Sequence, residues 1–265
     1  PLPSANKPVA DRVFGQYGDF TCRAKNNDGS CNDHQCCATA DNLYNPIGIA
    51  VDGAGSLYVA DWNNHRILRY DSPLTSDTTP DAVIGQPNFT SNFVNNGGLT
   101  QGLNLPIDLA FDPGGRLLVV DSGNNRLLGY SHPLTSGVPD SVFGQLGSFL
   151  TNSPNHGLGM DMPDASGLFG PTGVTIDPAR NVHIVDTNNM RALRYDAPFG
   201  RLGDMNCDGL IDLNDVPAWV TAVLNPTAYL STFPACDITL GDLNADGHID
   251  GRDVRGLVTA ILTGP

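Results

Sequence analysis

Two stretches near the C-terminal end place oxygen donors at the same offsets, first in GDMNCDGLIDLNDV and again in GDLNADGHIDGRDV. Counted from its first Asp, the first holds Asp204, Asn206, Asp208, Gly209, Asp212 and Asp215; the second holds Asp242, Asn244, Asp246, Gly247, Asp250 and Asp253. These are positions 1, 3, 5, 6, 9 and 12 of a twelve-residue loop. Such a loop suits Ca²⁺, which takes about six to eight oxygen ligands, provided a Gly makes the sharp turn at position 6. The position-7 backbone carbonyls, of Leu210 and His248, are expected to complete each set, so the chain is predicted to bind two calcium ions.

An apolar stretch follows each loop, VPAWVTAVL and VRGLVTAIL, and reads as a helix. Cys207 at position 4 of the first loop and Cys236 shortly before the second are expected to bridge the two halves. A duplicated loop and helix without an entering helix resembles a dockerin, the EF-hand-like module that binds cohesins in a calcium-dependent way. Asp stands at position 12 where an EF-hand has Glu, as in dockerins. Cellulosomal dockerins commonly show Ser-Thr at positions 10 and 11; here Leu213-Asn214 and Gly251-Arg252 stand there. The resemblance implies attachment to a protein surface, cohesin-like or that of a neighbouring subunit, by residues 201–265.

Residues 1–200 obey a different grammar. DWNNHRILRY from Asp61, DSGNNRLLGY from Asp121 and DTNNMRALRY from Asp186 are copies of one segment. Each follows two short apolar alternations, GIAVD then LYVAD, DLAFD then LLVVD, and GVTID then VHIVD, which predict β-strands. A fourth strand is expected in DAVIGQ (81–86) and DSVFGQ (140–145). A further copy, Asp11, Arg12, Val13, Phe14, Gly15 and Gln16, stands alone near the N-terminus. Four short strands per repeat predict propeller blades, over about 46–86, 106–145 and 171–196.

The segment Pro46 through Ile67 is similar to the NHL-repeat consensus, and the resemblance extends loosely over residues 11–196. It implies a β-propeller; NHL-type propellers include protein-binding modules, lyases and structural proteins. The recurring Asp61, Asn64 and Arg66, with Asp121, Asn124, Arg126 and Asp186, Asn189, Arg191, are read as a structural turn: Asn in a tight or left-handed backbone, Asp capping amides or pairing with Arg. The fold class is therefore mainly β, with three four-stranded blades completed by another subunit, plus a small α-helical calcium module.

Long connectors rich in Asn, Gly and Ser join the repeats. The first contains Cys22, Cys31, Cys36 and Cys37, expected as two disulfides, 22–36 with 31–37 or 22–37 with 31–36, a metal site being the alternative. Six cysteines without a zinc-type pair point to an oxidising, extracellular or cell-surface location. All 28 acidic residues are Asp, and the net charge of −14 argues against a nucleic-acid partner. No apolar run is long enough for a membrane span, and the start at Pro1 reads as a processed end.

The six His residues fall at non-equivalent positions or in loops, and no nucleophile motif or phosphate loop is present, so the sequence predicts no enzyme. It predicts a secreted bacterial assembly protein. Three blades are too few to close, and Asp11–Gln16 is expected to add to the third blade of another copy, giving a closed dimer or a filament. The alternative is a cell-surface propeller binding a glycan or protein, and behind it an NHL-type lyase or hydrolase.

Overall fold

The computed structural model describes residues 10–27, 29–30, 38–71, 73, 78–131, 133, 137–234, 236–244 and 246–263. The alternating segments form three antiparallel sheets. β1 (Pro46–Val51), β2 (Leu57–Asp61), β3 (Arg66–Tyr70) and β4 (Ala82–Ile84) make the first, in sequence order. β5 (Pro106–Phe111), β6 (Leu117–Asp121), β7 (Arg126–Tyr130) and β8 (Ser141–Phe143) make the second. β9 (Pro171–Ile176), β10 (Val182–Asp186) and β11 (Arg191–Tyr195) make the third, with no fourth strand among the described residues.

Face-to-face packing of the sheets explains why the middle strands are apolar on both sides. Tyr58, Ala60, Ile67 and Ile84 meet Leu109, Leu117, Val119, Leu128 and Tyr130 between the first two sheets. Leu118, Val120 and Leu127 meet Val174, Val182 and Ile184 between the second and third. The LLVV run of β6 is buried throughout because it belongs to both cores. Burying a Leu or Val side chain stabilises by roughly 1.5–3 kcal/mol, so these two seams hold the arc together.

The outer strands are shorter than the six-residue copies predict. Gly85 (φ 87°) and Gly144 (φ 89°) take the left-handed backbone that ends β4 and β8. A Cβ there would stand 2.6 Å from Leu103 and 2.7 Å from Leu168, so the same glycines admit the next connector's leucine. Asp11–Gln16, expected as a strand, is not one in the isolated chain: only Gln16 forms a bridge, with Asn42. A strand needs a ladder partner, and among the described residues this segment pairs with no strand. Its Phe14 ring instead packs edge-on against Tyr70, 4.9 Å between centroids.

After residue 201 lie three helices among the described residues: α1 (Asp215–Leu224), α2 (Pro226–Thr232) and α3 (Val254–Thr263). The unforeseen α2 starts because Asn225 caps it, accepting from the Ala228 amide at 3.1 Å, with Pro226 in the first turn. Met205, Trp219, Tyr229, Leu240 and Leu257 form a separate small core. Cys207 and Cys236 are disulfide-bonded across 29 residues, with Cα atoms 5.8 Å apart. Cys22 is also disulfide-bonded; Cys31, Cys36 and Cys37 lie outside the described residues. No helix is long and apolar enough to cross a membrane among the described residues.

Candidate functional site

The recurring Asp, Asn and Arg form a buried staple at the β2–β3, β6–β7 and β10–β11 turns. Arg66 Nε donates to Asp61 Oδ2 at 2.7 Å with both side chains fully buried, and Asn64 donates to the same oxygen at 2.8 Å. The other Asp61 oxygen accepts the Tyr44 amide at 2.7 Å. The Arg66 guanidinium also donates to the carbonyls of Phe89, Thr39 and Asn42, so one cation ties two connectors to the sheet. Arg126 repeats this with Asp121 and the carbonyls of Phe149, Leu99 and Gly102. Arg191 pairs with Asp186 at 2.7 Å but reaches only the Gly167 carbonyl beyond it. The left-handed residue is the one after the Asn: His65, Asn125 and Met190 have φ of 53°, 54° and 53°. Asn64 and Asn124 are engaged inward instead.

Two supporting sets were not legible. Asn26, Asn95 and Asn155 exchange reciprocal amide hydrogen bonds with Asn64, Asn124 and Asn189. Their separations of 38, 29 and 34 residues differ, which hid the pairing. Gln86 donates backward to the His65 carbonyl (3.1 Å) and forward to that of Phe93 (2.8 Å). Gln145 does the same with Asn125 and Ser153, 2.9 Å each. The repeated Gly-Gln dipeptide was the available signal for this clamp.

The two C-terminal loops are built alike. Asp204 accepts the amides of Asp208 (3.1 Å) and Gly209 (3.0 Å), and Asp242 those of Asp246 (3.2 Å) and Gly247 (2.9 Å). Asp215, fully buried, accepts from Met205, Asn206 and Asp212; Asp253, equally buried, accepts from Leu243, Asn244 and Asp250. Gly209 (φ 86°) and Gly247 (φ 82°) make the position-6 bends. Burial, then the charges of Asp215 and Asp208, raise the Asp204 carboxyl above its usual range against the Gly209 amide. Asn206 and Asn244 donate to Asp208 and Asp246, while Leu210, Asp212, His248 and Asp250 lie on the exposed or half-buried part of each loop. Among the described residues, no three Asp, His or Cys side chains converge closely enough to hold a metal ion. The oxygen-only donor set nonetheless has the chemistry of a hard divalent cation's ligands.

Elsewhere, His156 Nε2 lies 3.0 Å from Asp164 and 3.3 Å from the Ser166 hydroxyl. Both partners share one ring nitrogen, which makes a turn staple rather than a relay through the ring. Arg180, 1% exposed, reaches from the β9–β10 turn to Asp112 of the β5–β6 turn (2.8 Å) and to Asp237 before the second loop (3.5 Å).

Two of these sheets are recognisable by family. Residues 43–70 and 103–130 match the NHL repeat. The NHL-matched segments cover β1–β3 and β5–β7 with their staples. No curated protein matches the sequence. Among solved structures, the chain is similar to a selenomethionine-substituted virginiamycin B lyase from Staphylococcus aureus at 16% identity, covering 58% of this chain and 41% of that one, TM-score 0.32. A streptogramin B lyase matches at 15% identity over 60% and 42%, TM-score 0.30. A catalytically inactive virginiamycin B lyase from Staphylococcus aureus with quinupristin matches at 14% over 67% and 48%, TM-score 0.34. The chain thus spans less than half the length of the solved chains it matches. The expectation that the chain is no enzyme is corrected by this finding: the solved structures it is similar to are lyases. At these scores no reaction passes from them to this chain.

Proposed function

We propose that this chain is an extracellular assembly protein, an open propeller arc that associates with further copies of itself and carries a dockerin-like, calcium-stabilised attachment module. The observation that carries the reading is the exposed end of the arc. On β1, Ile49 is 66% exposed, whereas the matching Leu109 and Val174 of the next sheets are 5% and 9% exposed. An aliphatic face that is core in two sheets and bare in the third is a face awaiting a neighbour.

Calcium enters through the two loops. Asp204, Asn206, Asp208, Asp212, Asp215 and the Leu210 carbonyl would hold one ion; Asp242, Asn244, Asp246, Asp250, Asp253 and the His248 carbonyl the other. When bound, each ion supplies the positive charge that a loop with four carboxylates lacks. The amide-held Asp at positions 1 and 12 fix the loop's two ends, which is what a ligand frame requires. The attachment surface fits a cohesin-like protein or a neighbouring subunit. The disulfides support an oxidising location.

Sedimentation velocity and thermal melting, each with Ca²⁺ and with a chelator, test this. The expected results are a mass above the 28.0 kDa of one chain and a melting transition raised by Ca²⁺. Asp208→Ala should lower the affinity of the first loop. A monomer at every concentration removes the assembly reading, and identical melting curves remove the calcium reading.

A further inference from the structure

Among the described residues β11 is an edge of the third sheet, and Asp11–Gln16 belongs to no sheet. In the two complete sheets, the outer strand does two things at once. It pairs with its own sheet, Leu68 opposite Val83 and Leu128 opposite Val142. It also packs on the next sheet: Ile84 joins Tyr130 in one core, and the Phe143 ring meets Tyr195 at 5.0 Å. The N-terminal segment already makes the second contact, Phe14 on Tyr70 at 4.9 Å. Gly15 receives Leu43 as Gly85 receives Leu103 and Gly144 receives Leu168. Asp11–Gln16 therefore sits where the outer strand of a preceding sheet would sit, and among the described residues no sheet precedes the first.

The third sheet lacks what this segment supplies. Ala192 of β11 is exposed, where the corresponding Ile67 and Leu127 are fully buried. Gln16 makes the forward bond of the clamp, its Nε2 donating to the Ala24 carbonyl at 3.1 Å. The backward bond, which Gln86 and Gln145 make to the left-handed residue of the preceding turn, would fall on Met190, which is 89% exposed. Asp81 and Asp140 donate to the carbonyls of Arg69 and Gly129 and accept the amides of Asp71 and Ser131. Asp11, Arg194 and Asp196 are the matching set.

Resting on the self-association proposed above, we infer that the partner is a second copy of this chain placed head to tail. Its Asp11–Gln16 stays on its own first sheet while pairing with β11 of the first copy, Phe14 opposite Ala192, Val13 opposite Leu193 and Arg12 opposite Arg194. The strand is shared across the seam rather than swapped out of its own fold. The same placement lays the exposed Val185 and Ala192 side of the third sheet against Ile49 and Val51 of the next copy. The contact uses two different surfaces, so it closes as a ring of six sheets if two copies meet twice, and otherwise continues as a filament.

Two variants read the seam. Arg12→Cys with Arg194→Cys places two thiols directly opposite across an antiparallel pair, within disulfide reach. Oxidation should give a covalent dimer or a ladder, with a mapped 12–194 linkage absent from either single variant. Ala192→Pro removes an outward amide at the edge, since Arg69, the counterpart of Arg194 two residues on, faces β4 through its carbonyl. It should leave the melting temperature of the chain unchanged yet raise the half-assembly concentration about tenfold or more, the scale of one lost ladder bond. A wild-type monomer would overturn both the seam and the self-association on which it rests. Assembled wild-type protein with no 12–194 linkage and unaltered assembly of Ala192→Pro would overturn the seam alone.

Discussion

Arg66, Arg126 and Arg191 occupy one position in three copies, but their surroundings differ. The first two are fully buried and satisfied by a carboxylate and three carbonyls; Arg191 is 24% exposed and holds one carbonyl besides Asp186. Removing one partner of a buried ion pair strands the other, at a cost of about 3–5 kcal/mol. Arg126→Met is therefore expected to destabilise by about that amount, and Arg191→Met by distinctly less, since water screens a partly exposed pair. Urea unfolding of the two variants checks the contrast; equal losses would show that the third staple is as buried in solution as the second, as an assembled seam would make it.

At the level of elements, the helical segment depends on a staple as much as on its core. Its cluster of eight buried residues around Trp219 and Tyr229 is small, and small cores alone contribute little net stability. The Cys207–Cys236 disulfide closes a loop of 29 residues, from the first Asp-rich loop to just before the second. On the chain-entropy model that closure stabilises by about 3–4 kcal/mol. Cys207→Ser with Cys236→Ser is expected to lower the melting of the helical segment while leaving the sheets folded. Far-ultraviolet and Trp-fluorescence melting separate the effects, since Trp219 reports on the helices and Trp62 on the first sheet.

On the scale of the whole molecule, Arg180 joins three parts: the turns of the second and third sheets and the segment before the second Asp-rich loop. Packing is close there, because a Cβ on Gly114 would stand 2.5 Å from the Thr239 hydroxyl. Leu240 also packs against Gly200, where a Cβ would stand 2.9 Å from it. Arg180→Leu is expected to free the helical segment from the sheets, seen as a larger radius of gyration in small-angle scattering and faster proteolysis near 196–203. An unchanged scattering curve would place the docking energy in the Gly114–Thr239 and Gly200–Leu240 contacts instead.

The sequence by itself determined what is local and periodic. Alternating aliphatics with period two marked β1, β2, β5, β6, β9 and β10. Asp-Asn-Arg at constant offsets marked the stapled turns, and Gly at position 6 among Asp and Asn marked both C-terminal loops. Each rests on contacts a few residues apart, so spacing alone encodes it. Tertiary structure decided what joins distant residues. The Asn26–Asn64 family of pairs spans irregular connectors, Arg180 meets Asp112 and Asp237 from sites 68 and 57 residues away, and α2 owes its start to one cap. It also decided that Asp11–Gln16 is no strand in the isolated chain. A strand is defined by its hydrogen-bonding neighbour, and the sequence of a strand does not say on which copy of the chain that neighbour lies.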